Sequence, residues 1–224
     1  MVALFVVMTI VTLLLIEMVV GKIEGRHFVV APQAPPVNQQ LAAIPAGTYF
    51  HRGHAWARLE GDDVVAVGVD DFARMMAGQP DEIVLPEVGS RLIQGASAWT
   101  LKRGQSVIPM LSPVDGQVVE RNASAVQTPA LVAKDPYDGG WLLKVKPSNL
   151  RANLANLLDG SLASSWTQAA YERLSAFFSP ELGLVVQDGG TMADGVIEQI
   201  PPERLPAALR EFFLVDVALE AVGR

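Results

Sequence analysis

The stretch that decides the fold is Leu111-Ser112-Pro113-Val114-Asp115-Gly116-Gln117-Val118-Val119-Glu120-Arg121-Asn122. Ser-Pro and Gly bracket a tight turn, so the segment reads as strand, turn, strand. Just upstream, Trp99-Thr100-Leu101 and Ser106-Val107-Ile108-Pro109-Met110 flank Lys102-Arg103-Gly104-Gln105, a tight hairpin turn in which Gly104 supplies any positive φ. Glu82–Pro86 and Ser90–Gln94 read as further strands. Earlier, His54–Leu59 alternates in polarity, Gly61-Asp62-Asp63 turns, and Val64–Val69 is a near-continuous apolar strand. Asp70–Ala77 has an N-cap Asp, apolar residues at helical spacing and Gly78 as a stop, which predicts a short helix. Trp141–Pro147 closes the set of strands.

The rest of the chain has a different character. Residues 1–20 contain no Lys or Arg and a single acid, Glu17. About 20 apolar residues make a helix of about 30 Å, the thickness of a bilayer core. A cleaved signal peptide would need a basic start and a small-residue cleavage site, which are missing here, so we expect a retained single-pass anchor over 1–21. Lys22 and Arg26 follow it, which places the N-terminus outside and the soluble part in the cytoplasm. Glu17 then reaches the headgroup region or faces a partner helix. Residues 22–48, with Pro32, Pro35, Pro36 and Pro45, predict a semi-extended linker before a β domain over 49–150.

After Pro147 the period becomes helical, predicting a helical extension over 151–224. Leu150, Leu154, Leu157 and Leu158 share one face. A longer helix over Leu162–Phe178 carries a stripe of Leu162, Trp166, Ala169, Ala170, Arg173, Leu174 and Phe177. Leu182–Val186 reads as a short strand, and a last helix runs from about Pro202 to Phe213.

Across all 224 residues the net charge is −7, which argues against a nucleic-acid partner, and the absence of Cys excludes disulfides and thiolate metal sites.

Six ordered motifs over residues 49–150 resemble the H protein of the glycine cleavage system, a lipoyl carrier. They are His54-Ala55-Trp56, Val67-Gly68-Val69-Asp70-Asp71-Phe72-Ala73, Leu85-Pro86-Glu87-Val88-Gly89, Ser112-Pro113-Val114-Asp115-Gly116, Asn122, and Asp135-Pro136-Tyr137-Asp138-Gly139-Gly140-Trp141-Leu142. The resemblance implies a mainly β hammerhead, or barrel-sandwich hybrid, with small helices. In that family the lipoylated lysine lies eight residues before the proline of S-P-x-x-G. Counting back eight from Pro113 gives Gln105, and the family's acidic residue three before the lysine becomes Lys102. An amide side chain forms no stable lipoyl conjugate.

Other chemistry is weakly supported. His51 and His54 lack the context of a metal pair, and His54 is expected to pack beside Trp56. Asp62-Asp63 and Asp70-Asp71 suit turns and caps. No catalytic, metal or cofactor-binding residue is assigned. Lys102 and Arg103, with Gly104 at the hairpin tip, are candidate contacts for an acidic partner or headgroups, and Trp99 and Glu17 are candidate partner contacts. The expectation is a non-enzymatic, membrane-anchored accessory or scaffold subunit of a larger membrane complex of respiratory or photosynthetic type. The alternative is a lipoyl carrier for a membrane-associated oxidoreductase, with Lys102 as the arm.

Overall fold

The computed structural model describes residues 45–61, 63–178 and 194–216. The expected anchor over 1–21, Glu17, most of the linker and the strand expected at Leu182–Val186 lie outside the described residues. No helix among the described residues is long and apolar enough to cross a membrane.

Two antiparallel sheets form the framework. The larger has the order β1-β2-β3-β9-β8-β5, and the smaller β4-β6-β7. β1 (Thr48–His51), β2 (Ala55–Glu60) and β3 (Val64–Val69) form a meander, and the β2–β3 pairing runs from Ala55↔Val69 to Glu60↔Val64. β9 (Leu143–Pro147) joins β3 to β8 (Gly116–Arg121), and β5 (Arg91–Leu92) closes that edge. In the second sheet β6 (Ser97–Arg103) lies between β4 (Glu82–Val84) and β7 (Ser106–Leu111). The alternation predicted for β2 is only partial, because three of its first residues are all buried. A sheet covered on both sides at that end has no polar face to mark.

Local chemistry sets the connections. Helix α1 (Asp71–Ala77) begins where the Asp70 carboxylate accepts the Ala73 N–H, and ends at Gly78 with φ 65°. That is the expected cap at each end. Two short helices, α2 (Ala123–Gln127) and α3 (Ala130–Lys134), follow β8 and were not legible in the sequence. Asn122 organises them: its Oδ1 accepts the Ala125 N–H at 3.1 Å, while its Nδ2 donates to Gly139 and Trp141 carbonyls. One side chain thus caps a helix and holds the loop before β9.

Helix α4 (Leu150–Ala155) leads to Leu158, whose backbone bridges Phe50 of β1, and then to α5 (Gly160–Phe177). The buried face of α5 is Ala163, Thr167, Ala170, Tyr171 and Leu174. Leu162, expected inside, is 66% exposed. The small residues Ala163 and Ala170 allow close approach, and they set the contact face one residue later than the bulky stripe suggests. A 3-10 turn at Val196–Gln199 precedes α6 (Leu205–Phe213).

These C-terminal elements share the core of the sheets. Phe72, Met75 and Met76 of α1 belong to one hydrophobic cluster with Tyr171, Leu174, Leu209, Phe212 and Phe213. The described residues, 45–61, 63–178 and 194–216, belong to one compact unit.

Candidate functional site

The β6–β7 hairpin presents its apex through the shortest available loop. Arg103 pairs with Ser106, so only Gly104 and Gln105 make the turn. Gly104 has φ 55° and Gln105 has no positive φ, the pattern of a type II′ turn with Gly at its first central position. Gln105 is exposed at the tip. The register therefore puts the amide of Gln105 at the summit, where the family resemblance places an amine.

Lys102 is elsewhere. It lies within β6, paired across the strands with Val107 and Glu82, and its Nζ sits 2.9 Å from Glu82 Oε2. The expected turn over Lys102–Gln105 is two residues too long, because strand pairing continues to the last pair that Gly104 permits.

The tip is also held from the side. Arg103 Nε donates to Glu198 Oε2 at 3.0 Å, and Nη1 donates to the Gln79 carbonyl. The Gly104 N–H donates to Asp81 Oδ2 at 2.7 Å. Glu198 belongs to the 3-10 turn of the C-terminal extension. That turn is seated by Gly195, whose N–H donates to Met75 O at 2.8 Å, and by the Arg74–Asp194 ion pair at 2.9 Å. The approach is so close that a Cβ on Gly78 would lie 2.8 Å from the Gly195 backbone. Each exposed ion pair contributes only about 0–1 kcal/mol. Their combined effect is geometric: they fix the direction of the hairpin.

Trp99, expected at a partner surface, is 2% exposed and packs in the core. Its position in β6 faces inward with Leu101, and strand alternation decides this against the outward role. Arg103 and Lys102 are both ion-paired rather than free at the tip.

A buried constellation behind the hairpin was only half visible in the sequence. His54 is fully buried, and it stacks on Phe72 at 4.0 Å and on Trp166 at 4.5 Å, with Phe213 edge-on at 6.0 Å. Trp56, the expected neighbour, instead donates its indole N–H to Pro136 O and tilts against Tyr137. His54 Nδ1 lies 2.8 Å from Asp70 Oδ2, while Asp70 Oδ1 caps α1. With the carboxylate as acceptor, Nδ1 carries the ring proton, and among the described residues Nε2 has no partner. His54 also has φ 62°, a strained value for a residue with a Cβ. The aromatic stack and the Asp70 bond hold it there. This set joins the turn before β2 to α1, α5 and α6, and the distant Trp166 and Phe213 were not legible from spacing.

Neighbouring ionisable groups are perturbed by the same packing. Burial holds the His51 imidazole below its usual range, reinforced by His54 and Arg52. Burial pushes Asp71 upward, with Asp70 adding to the effect. Asp135 is held low by the Gly139 N–H, with Asp138 and Tyr137 N–H groups adding to it. No group of three or more His, Cys, Asp or Glu able to hold a metal occurs among the described residues.

The family model described as "Glycine cleavage H-protein" matches residues 48–169, more than half of the chain. The probable glycine cleavage system H protein 2 of Saccharolobus solfataricus is 34% identical over 148 residues, covering 65% of this chain and 95% of the relative. The glycine cleavage system H protein of Bacteroides fragilis is 40% identical over 116 residues, covering 52% of this chain and 90% of the relative. A crystal structure of a glycine cleavage system H protein from Mycobacterium marinum is 33% identical, covers 55% of this chain and 95% of its own, and has a TM-score of 0.48. With its six motifs set in this mainly β framework and a family match running from β1 into α5, the chain belongs to the glycine cleavage H-protein family.

Proposed function

We infer that the protein is a non-enzymatic, membrane-anchored accessory subunit that uses a carrier fold as a scaffold within a larger membrane complex of respiratory or photosynthetic type. The observation that carries this reading is Gln105 at the apex of the hairpin. A carrier needs a nucleophilic amine there to form an amide with the lipoyl carboxyl group, and the Gln105 amide nitrogen is not one. A carrier also benefits from an arm-bearing loop that presents itself freely. Here Arg103 and Gly104 are tied to Glu198 and Asp81. The apolar residues 1–21, with Lys22 and Arg26 after them, supply the anchor in this reading and place the soluble part in the cytoplasm. Extraction in gentle detergent, followed by identification of co-purifying chains, tests it. Stoichiometric membrane partners are expected; a chain that always purifies alone refutes the scaffold role.

A second reading draws on the relatives, which carry the name of glycine cleavage system H proteins. It makes this chain a lipoyl carrier for a membrane-associated oxidoreductase, with Lys102 bearing the arm. Lys102 is the lysine nearest to the apex in sequence, but it stands within β6 beside Glu82, which disfavours this reading. Peptide mapping that finds a lipoyl group on Lys102 would establish it.

A further inference from the structure

The pairing of β5, β8 and β9 aligns three exposed side chains in one cross-strand row. Arg91 pairs with Gln117, and Gln117 with Lys146, all three on the solvent side of the large sheet. Adjacent strands lie about 4.8 Å apart, so the two cations start roughly 10 Å from each other with an amide between them. Their long side chains are able to converge on a group above Gln117. The same three residues line a groove of about 390 Å³ together with Gly116, Pro147 and Ser148.

Arg91 and Lys146 stand outside the ion pairs of the described residues, as do Arg52, Lys134, Arg151 and Arg204, but only these two share a cross-strand row. Most described cations elsewhere have carboxylate partners; two residues along β9, Lys144 sits between Glu60 and Glu120. Arg91 and Lys146 have no carboxylate within 4.0 Å among the described residues, and the nearby acids are already engaged. Asp115, which feels Arg91, accepts from Asn153 Nδ2 at 2.7 Å and from the Gln94 N–H at 2.8 Å. Glu87 pairs with Arg121, and Gln117 Nε2 donates to Gly89 O. Two unmatched cations, one capable of bidentate hydrogen bonding, flank the Gln117 amide in an open groove that Ser148 also lines. The geometry points to a binding site for a phosphate group, carried by a phospholipid headgroup or by a free phosphate.

The full chain in neutral detergent is the material for the test. Inorganic phosphate and a short-chain phosphatidylglycerol are titrated separately at low salt, and binding is read by equilibrium dialysis of radiolabelled probe. One of the two is expected to saturate, with affinity falling at least tenfold in the Arg91→Gln/Lys146→Gln double variant. Arg52→Gln/Lys134→Gln removes the same charge from exposed positions elsewhere and is expected to bind as the wild type does. Saturation by inorganic phosphate alone identifies a free phosphate as the ligand. Tighter binding of phosphatidylglycerol than of phosphate identifies the headgroup. No saturation with either probe, or equal loss in both double variants, overturns the site.

Discussion

Gln105 shows how much one residue decides. Its place at the summit follows from the Arg103↔Ser106 pairing and from Gly104 taking the positive φ that an L-residue avoids. This was legible in the sequence because the distance to Pro113 and the Gly both pointed to the same register. The perturbed titratable groups elsewhere in the β domain were less legible, since burial and backbone donors set them. Their sign can be worked out. The His51 imidazole is held below the ordinary histidine value of 6.5, so the unfolded chain binds that proton more readily and stability falls as pH drops below about 6.5. Asp135 and Asp115 lie below the ordinary aspartate value of 3.8, so their stabilisation is complete above that pH and is lost as pH falls through their folded values. Chemical denaturation at a series of pH values is expected to show two acid steps. His51→Gln should remove the upper one and leave the lower. Asp135→Ala, which strips an acceptor from three N–H groups, should cost about 2 kcal/mol at neutral pH.

Elements differ in how clearly they announce themselves. β3 and α1 were readable because Val64–Val69 is continuous and Asp70 and Gly78 mark both helix ends. Helices α2 and α3 were missed because five-residue helices span too few turns for a period to show. The bulky stripe of α5 points to Leu162, whereas the close packing that Ala163 and Ala170 allow turns the buried face one residue further on. The 3-10 turn at Val196–Gln199 has local hydrogen bonds of its own, but its seat on the hairpin comes from tertiary contacts. Severing it tests its role: Glu198→Ala removes the Arg103 ion pair and should cost no more than about 1 kcal/mol. Hydrogen exchange at the Gly104 and Gln105 amides should nevertheless rise. Unchanged exchange would mean that the hairpin's own turn, not the extension, holds the tip.

At the scale of the whole molecule, the family match ends within α5, yet the hydrophobic core does not. Phe212 and Phe213 are almost fully buried against the β domain, with Phe213 beside His54 and Phe212 against Phe72. The sequence suggested an extension after the β domain, but it carried no sign of where Trp166 or Phe213 would land. Phe213→Ala is expected to destabilise the entire unit by about 3–5 kcal/mol, in a single transition reported alike by circular dichroism and by tryptophan fluorescence. Two separate transitions would show that the extension folds independently.

The measurement that bears most directly on a scaffold in place of a carrier is the intact mass of the native chain, taken from its own cells and followed by mapping of the peptide spanning Lys102 to Gln105. The mass predicted is that of the unmodified sequence across the hairpin. A lipoyl group found on that peptide would contradict the account.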